Sequence, residues 1–317
     1  TMQKRVPIVL AFFALLAMLY VPASHAQTIL CTLSIPGGQP VDTIFDPSGN
    51  RTFVSMFMSN EILILGHGCI IERTISTADG PQGLAFDGTN LWVALYNSNA
   101  VEKINVSTGN GTLYTVGTQP RGVAFDGTYI WVSNSGSNTV TKLLASNGFV
   151  ENTFPVGTYP WGVAVNSTND QTTVWVANLH SASVSIINAQ TGVVRSIATG
   201  SEPVFFANNP FAVNGILGGD MWVSCYASQI VEQFTSQGSL IASYAITGHG
   251  QPEALTLSTF GVFGATHGGY VFLINNGGTV TYPTHVGDTN YGVAYDPDAT
   301  TLWVTDIDQG LIFEISE

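Results

Sequence analysis

The side chains of this chain that could do chemistry are few and widely spaced, with only 9% of its 317 residues charged. Arg121 and Glu253 could hold a charged ligand, and Trp161 and Tyr291 offer aromatic faces that stack on a sugar or a planar compound. His249, His267 and Asp306 are nitrogen and oxygen donors of the kind that bind a divalent cation, the one cofactor the sequence leaves open. None of the histidines has a His-x-His or His-x-x-x-His neighbour, so spacing alone defines no metal site. A Cys-x-x-Cys-His haem site, a phosphate loop and a Gly-x-Ser-x-Gly nucleophile elbow are all missing from the sequence.

What places these residues is a repeat of roughly forty residues. Two well-kept copies are Pro81-Gln82-Gly83-Leu84-Ala85-Phe86-Asp87-Gly88 and Pro120-Arg121-Gly122-Val123-Ala124-Phe125-Asp126-Gly127, each followed by a Trp-Val pair. Further copies begin at Pro40, Pro160, Pro203, Pro252 and Asn290. Within a copy, apolar residues alternate with period two and are broken by Asp-Gly or Ser-Asn turns, which predicts four short strands. In the second copy these are strand a at 83–86, b at 91–95, c at 101–105 and d at 112–116. The fold class is therefore all-β, a seven-bladed propeller of four-stranded antiparallel blades.

The last copy ends after three strands, and Thr28–Ile35 resembles a d strand, so the N-terminal segment is expected to complete the last blade and close the ring. In a propeller, the d–a and b–c turns share the face around the channel mouth. The residue after each d–a proline then lies at that mouth: Val41, Gln82, Arg121, Trp161, Val204, Glu253 and Tyr291. The ends of the b strands, including Asn134, Asn178 and Asp306, form a second ring. Asn134 and Asn178 read as hairpin caps, Gly83, Gly122 and Gly162 as crowded inner-strand positions, and Trp92, Trp131, Trp175, Trp222 and Trp303 as inter-blade core. Arg121, Trp161, Glu253, Tyr291 and Asp306 have no packing duty visible in the pattern.

Residues 1–26 read as a signal peptide. Lys4 and Arg5 precede the apolar stretch Ile8–Val21, and Ser24-His25-Ala26 fits a cleavage site, with an uncleaved anchor as the competing reading. Residues 27–317 then form a single propeller domain, secreted or periplasmic, with no membrane insertion after cleavage. Without Lys4 and Arg5, 6 basic residues face 21 acidic ones, a net charge of −15. That balance argues against a nucleic-acid partner and leaves a protein, a glycan or a small molecule, bound by a monomeric propeller. Cys31 and Cys69 both read as outer-strand residues near the seam. A disulfide competes there with buried free thiols, because neighbouring outer strands splay apart.

The pattern Pro-x-Gly-Val-Ala-Phe-Asp-Gly-Thr-x-x-Trp-Val-Ser-Asn, followed by Ser-Asn-Thr-Val at 137–140, resembles YVTN and NHL-type propeller repeats. Among these it is similar to the streptogramin (virginiamycin B) lyase-like propellers. The resemblance implies a seven-bladed ring, and in such lyases a His before the Gly of the last strand a, a Glu after a Trp-Phe-Thr triplet, and magnesium. The matching positions here hold Tyr291 and Asp306, so the base is replaced and the acid is shorter. The sequence thus favours an exported, non-catalytic binding scaffold using the channel-mouth face. The alternative is a metal-assisted lyase or hydrolase with Tyr291, Asp306, Glu253 and His267 rearranged into a site.

Overall fold

The computed structural model describes residues 27–46, 48–168, 171–208 and 219–316; the signal-peptide segment lies outside them. The described residues form seven antiparallel sheets of four strands each, arranged as a propeller. In the second blade the strands are Pro81–Phe86, Asn90–Leu95, Ala100–Asn105 and Gly111–Thr115, within two residues of the sequence expectation.

Each Asp-Gly turn does more than reverse the chain. Asp126 accepts the backbone N–H groups of Thr128 and Tyr129 on one carboxylate oxygen and the Trp131 indole N–H, at 2.8 Å, on the other. Asp87 holds Trp92 in the same way, and those bonds keep its carboxyl below the usual range despite the opposing effect of burial. Trp92 and Trp131 are thereby oriented, and they, like Trp303, lie in cores shared between blades. Trp92 packs with Val123, Ile130 and Val132 of blade three, and Trp303 with Val54, Met56 and Leu63 of blade one.

The ring closes as the strand count requires. Ile29–Ser34 pairs antiparallel with Leu311–Ser316, opposing Cys31 to Glu314 and Ser34 to Leu311, and completes the sheet of Asn290–Asp296 and Thr301–Asp306. A disulfide joins Cys31 to Cys69, with Cα atoms 5.9 Å apart. The splaying of outer strands does not prevent it, because Cys69 is not on one. It sits at φ 56° in the turn between Glu61–Gly66 and Ile70–Ser76, which reaches across the seam. Beside it, the buried Glu314 carboxylate accepts the Gly68 N–H and meets His67 Nδ1 at 2.7 Å, while His67 Nε2 lies 3.2 Å from Asp296. Blade one is thus tied to blade seven by a covalent bond and a buried polar cluster.

A hydroxyl joins neighbouring blades near the axis. Ser133 accepts the Gly122 N–H of its own blade and donates to the Trp161 carbonyl of the next; Ser224 does the same between Phe205 and Glu253, and Thr305 between Gly292 and Val41. A Cβ at Gly83 would clash with the Arg121 carbonyl. The crowding expected of the inner strands is real, and it comes from the innermost strand of the next blade.

Candidate functional site

The channel-mouth residues owe their aim to an irregularity that recurs in every blade. The a–b ladder shifts register immediately after its first pair, between Pro81 and Leu84, Pro120 and Val123, Pro160 and Val163, and likewise in the remaining blades. Such a bulge re-aims the residues it contains, and here it contains the residue after each proline. The turn entering it is fixed by the adjacent b–c hairpin: Asn60, Asn99 and Asn138 accept the backbone N–H of Gly80, Gln119 and Tyr159, residues that adopt positive φ.

Gln82, Arg121, Trp161 and Tyr291, expected from sequence at one mouth, line one cavity of about 840 Å³ that also takes in Asp42 and Phe205. Arg121 does have a packing duty, contrary to the sequence reading. Its guanidinium lies 3.7 Å from the Trp161 ring centroid, 4.6 Å from Tyr96 and 5.4 Å from Tyr159, and donates to Gln82 Oε1 and the Tyr159 hydroxyl. The cation is held by π faces and neutral oxygens, not by a carboxylate. The aromatic wall continues from Trp161 to Tyr291, 6.5 Å between centroids, and on to Phe205 at 6.1 Å.

Glu253, expected at the same mouth, is not among the residues that line this cavity, whose acidic side chain is Asp42. Glu253 is 4% exposed, and among the described residues no donor bonds to its carboxyl. Burial pushes its pKa up to about 8; Arg121 pulls down and Glu202 pushes up, both by smaller amounts. Arg121 and Glu253 make no ion pair, as expected for residues on opposite sides of the ring. Asp42 faces the channel at the position held by glycine in most blades and accepts the Leu84 N–H at 2.8 Å. Burial raises it to about 6 against the pull of its amide bonds to Leu84 and Thr43. The Tyr291 hydroxyl is raised by burial, then by Glu253, with Arg121 opposing.

Asp306, His249 and His267 do not come together with these groups. Asp306 is fully buried, and its carboxylate accepts the backbone N–H groups of Thr289 at 3.1 Å and Gln309 at 2.9 Å as well as that of Asp288. It clasps the d–a turn at Asp288 and Thr289 to its own hairpin at Gln309. His267 is exposed and meets the Tyr226 hydroxyl, whereas His249 packs on Tyr282 at 3.9 Å and Tyr270 at 4.4 Å. Among the described residues no three His, Cys, Asp or Glu side chains converge on a metal position, so the candidate donor set of His249, His267 and Asp306 is not assembled. Asn134 accepts the Gly117 N–H of the preceding d–a turn and donates to the Thr139 and Thr141 hydroxyls of its own hairpin, and Asn178 donates to those of Ser183 and Ser185, so their bonds within the b–c hairpin run to side chains and not to the backbone.

Sequence reasoning missed Tyr96, Tyr159, Phe205 and Asp42. A signal existed for each. Tyr159 directly precedes a d–a proline, Tyr96 directly follows a b strand, and Asp42 and Phe205 replace the glycine of the Pro-x-Gly triplet.

Fold and mouth together define a seven-bladed propeller with a polarised channel entrance. No family model matches the chain, and no curated protein matches it by sequence. Solved structures share the fold. Over 92% of this chain and 97% of that one, a streptogramin B lyase superposes with a TM-score of 0.77 at 18% identity. Virginiamycin B lyase from Staphylococcus aureus gives 0.78 at 14%, over 92% and 99%. Hydrazine synthase from Kuenenia stuttgartiensis gives 0.75 at 15%, over 90% and 97%. At these identities the likeness is one of architecture.

Proposed function

We propose that this protein is an exported, non-catalytic propeller that binds a small ligand in its channel mouth. The observation that carries the reading is Arg121, a cation laid on three aromatic faces at the entrance of a cavity of about 840 Å³ and in no ion pair among the described residues. A cavity of this size and lining suits a ligand of drug-like dimensions, oriented by a few polar groups among apolar walls. The signal-like segment 1–26 and the Cys31–Cys69 disulfide both support an oxidising destination, in the periplasm or outside the cell. The metal-assisted lyase or hydrolase reading finds less support. It needs a base where Tyr291 stands and needs Asp306 to abandon its backbone N–H bonds.

A thermal-shift panel of oligosaccharides and planar small molecules, run on the wild type with Arg121→Ala and Trp161→Ala, tests the reading. Ligands should raise the wild-type melting temperature, since they bind only the folded state, and should lose that effect in both variants. Folded variants that keep every wild-type ligand would overturn it.

A further inference from the structure

Among the described residues that line the channel cavity, Arg121 is the one basic side chain and Asp42 the one acidic side chain. Arg121 belongs to none of the ion pairs among the described residues. With the rings of Trp161, Tyr96 and Tyr159 packed on it, the guanidinium has its rim of N–H donors left to offer. One donor on Nη1 reaches Gln82 Oε1 at 3.3 Å and one on Nη2 reaches the Tyr159 hydroxyl at 3.0 Å, both neutral acceptors. The third nitrogen, Nε, is buried and has no acceptor among the described residues. A buried donor without an acceptor is costly, and this one belongs to a permanent cation on a cavity wall. Beside it begins the run of rings from Trp161 to Tyr291 and Phe205.

We propose that the ligand is an aromatic monocarboxylate whose carboxylate meets the Nε edge of Arg121 and whose ring lies against Trp161, Tyr291 and Phe205. The inference rests on the channel-mouth reading above and narrows it to one chemistry. A guanidinium rim presents coplanar N–H groups spaced to match the two oxygens of a carboxylate. A neutral acceptor could take the Nε proton but would leave the positive charge uncompensated between aromatic walls, and a cationic ligand would be repelled. The ring contacts of the wall, tilted at 49° and edge-on at 84°, turn more than one aromatic face and edge towards a planar body.

Asp42 limits the ligand to a single negative charge. It lies one residue further along its strand than the position equivalent to Arg121, and its carboxylate is tied to the wall by the Thr43 N–H at 2.9 Å and the Leu84 N–H at 2.8 Å. A second carboxylate on the ligand would find no second cation in the cavity lining and would meet the field of Asp42 instead. Asp42 is thus a specificity-determining residue for charge, whereas Arg121 is the anchor.

The experiment is calorimetric titration of the full mature chain at about pH 7.5 with 2-naphthoate, 2-naphthamide, naphthalene-2,6-dicarboxylate and decanoate. 2-Naphthoate should bind about tenfold or more tighter than 2-naphthamide, which keeps the shape and loses the charge, the scale of one charged hydrogen-bonded contact. It should also bind more tightly than the dicarboxylate, which adds a charge, and decanoate, which keeps the carboxylate and loses the ring. Arg121→Gln should bring 2-naphthoate down to the level of the amide, Arg121→Lys should weaken it by keeping the charge without the fork, and Asp42→Asn should strengthen the dicarboxylate more than the monocarboxylate. Melting curves of each variant separate lost binding from lost folding, and if Arg121→Gln does not fold, Arg121→Lys carries the comparison. No binding of 2-naphthoate, equal binding of acid and amide, decanoate as tight as 2-naphthoate, or an affinity unmoved in the folded Arg121 variants would overturn the proposal. If the broader panel then yields an Arg121-dependent ligand that is neutral, the carboxylate class falls and the channel-mouth reading stands. If no ligand depends on Arg121, both fall.

Discussion

Replacing Glu253 by Gln should make the protein more stable at pH 8 and leave its stability below pH 5 nearly unchanged relative to the wild type. The carboxyl is 4% exposed and its pKa is pushed from an ordinary 4.5 to about 8, chiefly by burial. Below pH 4.5 the group is protonated in both the folded and unfolded chain and contributes no pH dependence. Between 4.5 and 8 the unfolded chain loses the proton while the folded protein keeps it, so wild-type stability falls as pH rises, and the loss is complete above pH 8. At about 1.4 kcal/mol per pH unit the whole window amounts to about 5 kcal/mol, a large share of a typical domain's stability. Glutamine does not titrate, and any penalty from its buried amide is constant with pH. Urea unfolding of both proteins at pH 5, 6, 7 and 8, with the disulfide intact, measures the gap directly. Asp42 weakens the fold in the same direction over its own window, 3.8 to about 6, but it does so in both proteins and cancels. The gap should widen by about 1.4 kcal/mol per unit between pH 5 and 7. Parallel curves for the two proteins would show that Glu253 is not held protonated by its site.

Breaking the seam should cost more than a surface change. The Cys31–Cys69 bridge spans 38 residues, for which loop-closure entropy gives about 4 kcal/mol as an upper estimate; Cys31→Ser should lower the melting temperature, and a reductant that leaves the wild-type melting temperature unmoved would refute the stapling role. Ser133→Ala leaves the Trp161 carbonyl and the Gly122 N–H without their shared hydroxyl and should cost about 1–3 kcal/mol in denaturant unfolding, whereas a neutral result would mean that solvent replaces the clasp. Asp126→Ala removes two turn bonds and the Trp131 indole partner, so the expected loss is about 2–4 kcal/mol, with a blue-shifted or broadened tryptophan emission as its optical counterpart. Full retention of stability in that variant would show that the Asp-Gly turns do not position the core tryptophans.

The period-two alternation and its Asp-Gly and Ser-Asn punctuation were enough to count blades, place strands and foresee closure by Thr28–Ile35, because ladder register and turn chemistry are local properties that a linear pattern records. The same pattern assigned Arg121, Trp161 and Tyr291 to one mouth, since equivalent repeat positions must fall on one ring. It could not say what those side chains touch. Arg121 finds Tyr96 and Tyr159 only because a bulge in every a–b ladder turns the residue after the proline, and because Tyr159 takes a left-handed backbone held by Asn138. Asp306 sits at the expected ring position, yet its carboxylate is engaged by backbone N–H groups of the neighbouring d–a turn and of its own hairpin, a fact of loop geometry that residue type does not disclose. The Cys31–Cys69 bond, which the sequence left open against free thiols, was decided for a related reason. Sequence placed Cys69 one element too far along, and only the turn's reach across the seam brings the two sulfurs together. The sequence by itself determined which residues share a ring, through a repeat whose period and alternation are set by strand geometry. The tertiary structure decided which of them are free, paired or buried, because those states depend on the approach of neighbouring blades, and that distance is written in no single repeat.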